Sequence, residues 1–485
     1  MKNFNLKIIF TGFIFVLIFT YPGYSWTENW VDGTPYFNEQ SRFLAEVLGH
    51  EDDAMLAPGA LVNIPDPAYK IGDIKNFYSY NMANNSQYLV KASLRGVSDK
   101  AYIFVESGKA VTKSKVNSLL DAFENIYESI TGHFGPPPDS IDGDPRIYLL
   151  LLDILDGNPA DGIRMVGYYS PINQYKNTQL RRWSNQKSNE VEILYIDYIS
   201  LNNAKLLAES VLTHEFTHMV QWARDPRESI WVNEGIAVYS EGLLGYNTRS
   251  RISAFEIDSD TSLISWSGKI ADYGAAYLFI TYISEQFGGV SAVEAIIRNR
   301  AVGVNGIKKA LSGLGKSISF DNLFSNWVVA NYLDDPELSE GEYGYSGINI
   351  KIRPSDTEEA YPIASKNSQI KTWSAKYIEF KKEQDDTLNL TVYNVVRDDI
   401  VAQIIEIGDE TVVSSVKSSN ENSGTTTIPV ENSKAILVVT SQPDPPETNL
   451  ASSTYRYKAD AEAVVAPVTS ISNKKITTWG KIKQD

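Results

Sequence analysis

The segment VLTHEFTHMVQWARDPRESIWVNEGIAVYSEGLLG, residues 211–245, contains two helical patterns separated by a polar turn. Apolar residues recur with a period of about 3.6 residues on both sides of DPRES, which predicts two consecutive helices. His214 and His218 lie four residues apart in the first helix, so both imidazoles project from one face and can bind one metal ion. The alternative is two ordinary histidines on a half-buried helix. Because the chain has only 4 His, a chance HEFTH would be rare, and we predict a zinc site.

The third zinc ligand is predicted to be a carboxylate. A catalytic zinc has three protein ligands and one open position, and the sequence has no Cys and no His after His218. Glu234, close to the start of the second helix, is the strongest candidate. Glu241 follows on roughly the same helical face and is expected to accept an imidazole N–H and fix its tautomer, whereas Asp225 is expected in the turn. A fourth position filled by protein would contradict a catalytic site.

Glu215 is the predicted catalytic base, because it is adjacent to His214 and borders the metal without having to ligate it. Zinc lowers the pKa of its bound water towards ~7. Glu215 would take a proton from that water and pass it to the leaving amine. A second electrophile would stabilise the oxyanion. Tyr273, at the start of a third helix, is the candidate for this role; Tyr277 and Tyr239 are competitors, and packing in the core is the alternative role for Tyr273.

The rest of the chain indicates an α+β protein. Short strand patterns precede residue 204, helical patterns follow it as far as residue 335, and from about residue 369 turns about every ten residues favour antiparallel strands. We predict a zincin-type domain, in which a twisted mixed sheet packs on the HExxH helix and a mostly helical subdomain follows, with a C-terminal antiparallel β-sandwich. The predicted divisions are a signal peptide (1–25), a pro-segment or β-rich lead-in (26–95), the peptidase domain (96–350), the β-sandwich (369–465) and a loosely ordered tail (466–485).

Export from the cell is predicted from the first residues. Lys2 and Lys7 precede the apolar run from Ile8 to Tyr21, and small and turn-forming residues follow as far as Ser25. This is the order of a cleaved secretory signal. A retained membrane anchor is the alternative, but the run is short for a bilayer span. The net charge of −16 argues against nucleic acid or an anionic membrane surface as partner. The absence of Cys excludes disulfides and thiol nucleophiles.

HEFTH followed by WVNEGIA resembles the gluzincins, the zinc peptidases typified by thermolysin, and is most similar to the hyicolysin-like neutral metallopeptidases of bacteria. The similarity covers roughly residues 70–345 and includes DGDPRIYLLLLDI, YGAAYLFITYISEQFG and FSNWVVANYLDD. It implies that His214, His218 and Glu234 bind zinc, with Glu215 as base. The interval between His218 and Glu234 is shorter than in thermolysin, so a tighter turn is expected. The resemblance also implies that substrate adds as a strand to a sheet edge, for which MVGYYSP (165–171) is the candidate.

These patterns favour a secreted zinc endopeptidase acting on polypeptides, in which the region before the catalytic domain is a candidate inhibitory pro-segment. A second hypothesis is an extracellular binding or adhesion protein with a structural or vestigial zinc site. A third is a hydrolase of the same fold acting on a non-peptide amide. Glu215 separates the first two hypotheses, because a purely structural zinc site needs no base beside its ligands.

Overall fold

The structure is a computed structural model that describes residues 30–48, 66–157, 164–203, 205–381, 386–394, 399–416, 418–420, 423–428, 434–444 and 452–463. The predicted signal peptide (1–25) and C-terminal tail (466–485) lie outside these residues. Among the helices of the described ranges, none combines the length and the apolar character needed to cross a membrane.

Within the described ranges, the first sheet is mixed and has seven strands: β1 (Trp30–Asp32), β2 (Ile74–Asn81), β3 (Ser86–Val97), β4 (Ala101–Glu106), β5 (Ile147–Leu152), β6 (Arg164–Tyr169) and β7 (Ile193–Asp197). Their order in space is β1-β6-β7-β5-β4-β3-β2. Strands β4, β5 and β7 run parallel to one another. Strand β6 is antiparallel to β7, and β1 pairs with β6 in the parallel sense.

The continuous apolar run of β5 follows from the burial of both faces of this sheet. Every residue of its sequence IYLLLL is buried, which removes the alternation expected of a half-exposed strand. Leu149 and Leu151 share a core with helices α2 (Lys113–Phe134) and α5 (Lys205–Arg224). On the other face, aromatic side chains of the sheet pack with Phe37 of helix α1 (Pro35–Leu48). Helix α5 therefore lies against the sheet beside β6 and β7.

Helices dominate the chain from residue 198 to residue 333. Besides α5, they are α4 (Tyr198–Asn203), α6 (Ile230–Leu243), α7 (Arg249–Ile257), α8 (Ile270–Phe287), α9 (Val290–Arg298), α10 (Gly303–Gly313) and α11 (Phe320–Leu333); the short α3 (Asn177–Leu180) precedes β7. Helices α6 and α8 pack closely at Gly235, where an added Cβ would lie 2.8 Å from the Ala276 carbonyl oxygen. Because Gly235 has no side chain, α8 can pack closely against the first residues of α6.

Two five-stranded sheets form the C-terminal region. The first contains β8 (Asp356–Glu358), β10 (Ala375–Lys381), β12 (Ile400–Ile407), β13 (Thr411–Ser415) and β16 (Lys434–Ser441), and the second β9 (Ile363–Lys371), β11 (Asp386–Asn394), β14 (Ser418–Asn420), β15 (Ser423–Ile428) and β17 (Ser452–Ala463). Side chains from both sheets share one core, in which the rings of Phe380 and Tyr457 lie 5.9 Å apart. Trp373 connects this region to the helices, since its ring lies 4.9 Å from that of Phe320 and 5.2 Å from that of Phe324.

The structure confirms the prediction of an α+β protein with a C-terminal β region, and it differs from the prediction in three places. The proposed boundary between residues 26–95 and 96–350 falls inside β3, because β2 and β3 belong to the same sheet as β4. The C-terminal sheets begin at β8, before residue 369, and the β8–β10 pair is parallel in an otherwise antiparallel region. Helix α1 was not predicted.

Candidate metal centre

Helices α5 and α6 bring three predicted ligands together. The Nε2 atoms of His214 and His218 lie 3.0 Å apart. Glu234, near the start of α6, places Oε2 3.2 Å from His214 Nε2 and Oε1 3.4 Å from His218 Nε2. The side chains of all three residues are at most 3% exposed. Five residues, 225–229, separate the two helices, and the Asp225 carboxylate accepts a hydrogen bond from the Arg227 backbone N–H in this turn.

Asp32 completes a group of four. Its Oδ2 atom lies 3.5 Å from His214 Nε2 and 3.6 Å from His218 Nε2. One donor atom from each of Asp32, His214, His218 and Glu234 lies within 4.8 Å of the other three. Donors bound tetrahedrally at 2.0–2.2 Å would be about 3.4 Å apart, so the observed separations fit a single small cation. Among the described residues, Asp32 Oδ2 has no hydrogen-bond partner, which also fits a bound cation.

Hydrogen bonds behind the imidazoles orient both Nε2 atoms towards this position. His214 Nδ1–H donates to Glu241 Oε1 over 2.8 Å, and Glu241 is held in turn by Ser210 and Arg251 at 2.5 and 3.0 Å. His218 Nδ1–H donates to Gln221 Oε1 over 3.2 Å. With both Nδ1 atoms engaged, the Nε2 lone pairs are available to a metal.

Glu215 lies next to the cluster without being part of it. Its Oε2 atom accepts a hydrogen bond of 2.7 Å from Thr34 Oγ1. An added Cβ at Gly167 of β6 would lie 3.1 Å from Glu215 Oε1, so the carboxylate packs directly against that strand. Within the described ranges, Oε1 is buried and has no hydrogen-bond partner.

Among the candidate tyrosines, Tyr273 is the one electrostatically linked to the cluster. Burial raises its pKa well above the ordinary value, and the carboxylates of Glu234 and Asp32 raise it further, so its hydroxyl is a proton donor at neutral pH. Tyr239 instead hydrogen-bonds Ser284 over 2.9 Å. The hydroxyl of Tyr277 lies 3.0 Å from the Cβ position of Gly242, two turns along α6 from Glu234.

Burial and mutual charge shift the pKa values at the centre. Burial alone would lower the pKa of His214, but Asp32, Glu234 and Glu241 outweigh burial and raise it well above the usual value. Burial also tends to raise the pKa of Asp32, yet His214 and His218 hold it well below its usual range. The pKa of Glu215 is raised well above normal by burial and then by the charge of Asp32. A metal ion entering the cluster would therefore displace protons from the imidazoles.

The structure corrects two expectations drawn from the sequence. We expected a fourth position free of protein, and the Asp32 carboxylate lies there instead. We also expected MVGYYSP to form the edge of the sheet, but β1 lies outside β6 and pairs with it. Sequence reasoning missed Asp32 because VDGT is typical of an ordinary turn, and nothing local in the sequence connects it with the HEFTH helix.

The resemblance to the neutral metallopeptidases of bacteria is confirmed by comparison with known proteins. The neutral metalloprotease ShpI of Staphylococcus hyicus is 23% identical over 346 residues, an alignment that spans 66% of this chain and 76% of the relative. This similarity supports a protease that uses a metal ion and acts on polypeptides. No protein-family model matches the chain.

Solved structures resemble parts of the chain at low overall similarity. The pre-peptidase C-terminal domain of a collagenase from Bacillus anthracis is 11% identical with a TM-score of 0.18, and covers 22% of this chain and 98% of that domain. The periplasmic lysozyme inhibitor PliG of Aeromonas hydrophila is 7% identical with a TM-score of 0.18, and covers 22% of this chain and 100% of the inhibitor. We draw no functional conclusion from these two similarities.

Proposed function

We propose that this chain is a secreted, zinc-dependent endopeptidase of the gluzincin type. The observation that carries the proposal is the convergence of His214, His218 and Glu234 beside the carboxylate of Glu215, which is not one of the four clustered donors. Neutral imidazoles and a carboxylate are common zinc ligands, and three of them are typical of catalytic sites. The sheet packed against the HEFTH helix supports a zincin-type domain. The N-terminal sequence supports export.

Each of these side chains has a distinct role in the proposed reaction. When bound, zinc supplies a Lewis acid for the peptide carbonyl and lowers the pKa of water. His214, His218 and Glu234 would hold it. Glu215 accepts a proton from the attacking water and delivers it to the leaving amine. The Tyr273 hydroxyl donates a hydrogen bond to the oxyanion.

Asp32 favours a competing function, a binding or adhesion protein with a structural zinc. Four protein ligands and no open position are characteristic of structural sites. The position of Glu215 argues against this alternative, because a buried carboxylate with a raised pKa costs free energy and contributes nothing to metal binding there. The two functions predict opposite results of removing Asp32, since a peptidase gains an open position whereas a structural site loses a ligand.

Peptide cleavage by the Asp32→Ala chain tests the proposal. We expect the purified variant to contain zinc and to cleave casein and a mixed peptide library, with activity abolished by a chelator. Adding Glu215→Gln should leave the zinc content unchanged and lower the rate by about 10²–10⁴. Glu209→Gln is the matched control, since Glu209 lies on the same helix but lines a separate cavity with Ser118 and Tyr246. Equal cleavage rates in the Asp32→Ala chain with and without Glu215→Gln would reject the mechanism.

A further inference from the structure

We propose that residues 30–48 form an internal inhibitor of this site, with Asp32 as the fourth ligand of the metal. The inference rests on the proposed peptidase function and adds a latent state to it. In that state Asp32, Thr34 and β1 block three parts of the site: the position of the attacking water, the base and the strand edge that binds substrate. Displacement of the segment would open all three.

The Asp32 carboxylate blocks the position that a catalytic metal keeps open. Its distances to the two Nε2 atoms, 3.5 and 3.6 Å, match those made by Glu234 at 3.2 and 3.4 Å. Two carboxylates and two neutral imidazoles reduce the net charge of a zinc complex from +1 to zero. Without that positive charge and without an open position, the metal would no longer acidify a water molecule or polarise a carbonyl group.

Thr34 blocks the base. Its hydroxyl donates to Glu215 Oε2 over 2.7 Å and accepts from the Tyr169 backbone N–H over 2.9 Å. The threonine thus connects the base to the end of β6. A purely structural fourth ligand would not require a partner for Glu215 two residues further along the chain. The joint placement of Asp32 and Thr34 distinguishes an inhibitory segment from a ligand that merely completes a metal site.

Strand β1 occupies the edge of β6 on which an extended peptide would add. Asp32 is in register with Gly167, and the Gly33 backbone N–H donates to the Gly167 carbonyl over 3.0 Å. Gly33 has little room for a side chain, since an added Cβ would lie 2.4 Å from Met165 Sδ and 3.1 Å from Tyr168 Cβ. Main-chain groups of β6 that a substrate would use are therefore already paired with the segment.

Two small cavities border both the segment and the metal cluster. The first, of about 60 Å³, is lined by Asp32, Glu215 and residues of α5 and α7. The second, of about 30 Å³, is lined by Thr34, Phe37, Ser41 and His218 among others. Each holds a few water molecules at most. The segment therefore supplies part of the wall of each cavity, through Asp32 in the first and through Thr34 and α1 in the second.

Three apolar side chains of α1 are buried: Phe37, Leu44 at 1% exposed and Ala45 at 7%. Phe37 is 2% exposed, and its ring lies 5.4 Å from the rings of Tyr80 and Tyr168. On the outer face of α1, Tyr36 and Phe43 are each 44% exposed. Strand β1 itself has only three residues. Because β1 is an edge strand, displacement of the segment would leave the pairing of the other six described strands of the sheet in place.

Binding of a small metal ligand to the cobalt-loaded full chain tests the inference. Acetohydroxamate is titrated while the visible absorption of Co²⁺ reports a change of ligands. We compare the wild type with Asp32→Ala, with the near-isosteric Asp32→Asn, and with Glu39→Gln as control. Glu39 is an exposed residue of α1, so its substitution removes a carboxylate from the same segment without reaching the metal. Thermal unfolding of each variant verifies folding.

We expect both Asp32 variants to bind acetohydroxamate at least about tenfold more tightly than the wild type, because the open state is a minor one while Asp32 is present. Glu39→Gln should behave as the wild type does. Equal affinities in all four chains would overturn the inference, even if all of them cleave peptides. Tighter binding by the Asp32 variants without peptide cleavage would retain Asp32 as the fourth ligand but reject both the peptidase function and the inhibitory role.

Discussion

Glu241 determines how His214 faces the metal position. It accepts the Nδ1–H of His214 and is itself ion-paired with Arg251. Burial tends to raise the pKa of Glu241, but Arg251 and His214 hold it below its usual value, so the group is a carboxylate. We expect Glu241→Gln to lower zinc affinity about 10–100-fold, since loss of such a partner misorients the imidazole.

Competition with a chromophoric chelator measures this change in affinity. The control is Glu256→Gln, which removes another carboxylate paired with an arginine, Arg249, and which is not one of the four clustered donors. An unchanged zinc affinity in Glu241→Gln would show that packing alone orients His214.

Tyr273 interacts electrostatically with Glu234 and Asp32 of the cluster. Its ring packs edge-on against Trp266 at 4.8 Å, so loss of the hydroxyl leaves the packing intact. In the Asp32→Ala chain, we expect Tyr273→Phe to lower kcat by about 10²–10³ with little change in Tm. Steady-state kinetics on a fluorogenic peptide measures the effect, with Tyr277→Phe as control. Equal kcat values for the two variants would return Tyr273 to a packing role.

Among the elements, the α6–α8 pair sets the position of Glu234. Gly235 follows it directly, and an added Cβ there meets the main chain of Ala276, which cannot move as a side chain can. We expect Gly235→Ala to lower stability, because overpacking costs about 1–3 kcal/mol and exceeds the gain of about 1 kcal/mol from helix propensity. Zinc affinity should fall as well, as α6 shifts.

Gly132 provides the matched control for this helix. It lies near the end of α2, and nothing is within 4 Å of its Cβ position. Gly132→Ala should therefore raise stability by up to about 1 kcal/mol. Thermal unfolding of the two variants side by side is the measurement. A rise in Tm for Gly235→Ala would mean that the helices separate without cost.

The start of β7 carries a buried acid outside the metal site. Glu192 is 1% exposed, and burial followed by the charge of Asp142 raises its pKa well above normal. The folded state thus binds a proton that the unfolded state releases above about pH 4.3. The stability that this bound proton contributes is fully present below that pH, and it is lost as the pH rises towards the folded-state pKa of Glu192.

We therefore expect Glu192→Gln to have a larger free energy of unfolding than the wild type at pH 8. The difference should be about 1.4 kcal/mol for each pH unit between the unfolded-state pKa of Glu192 and its folded-state pKa, counted no further than pH 8. The advantage should shrink at pH 5. Urea unfolding at both pH values measures it, and Glu128→Gln on the exposed face of α2 is the control. An advantage that does not depend on pH would assign the effect to packing.

At the scale of the whole molecule, the features that could be predicted from sequence are those that depend on short separations. The two histidines lie on one helical turn, and Glu234 follows after one short connection, so local periodicity predicts their meeting. Thr34 and Glu215 are 181 residues apart, and their contact depends on the order of strands in the sheet. Nothing in the pattern of WVDGTP encodes that order, which is why the filled fourth position was missed.

The attachment of the C-terminal sheets is another long-range feature, and Trp373 is central to it. The side chain is 0% exposed and belongs to the core of the helical region rather than to that between the two sheets. The main chain on both sides is also bonded: Trp373 N–H donates to the Ser441 carbonyl, and Leu263 N–H donates to the Trp373 carbonyl. We infer that the two regions unfold together because this interface couples them.

Trp373→Ala should uncouple the unfolding of the helical region from that of the C-terminal sheets. Removing a buried Trp costs about 3–5 kcal/mol, and here the lost contacts are those that a residue of the C-terminal region makes with Phe320 and Phe324 of the helical region. We expect calorimetry to show one unfolding transition in the wild type and two in Trp373→Ala. Phe380→Ala, an equally buried aromatic substitution inside the core between the sheets, should lower the single transition without dividing it. A single transition in Trp373→Ala would mean that contacts elsewhere along the interface suffice to couple the regions.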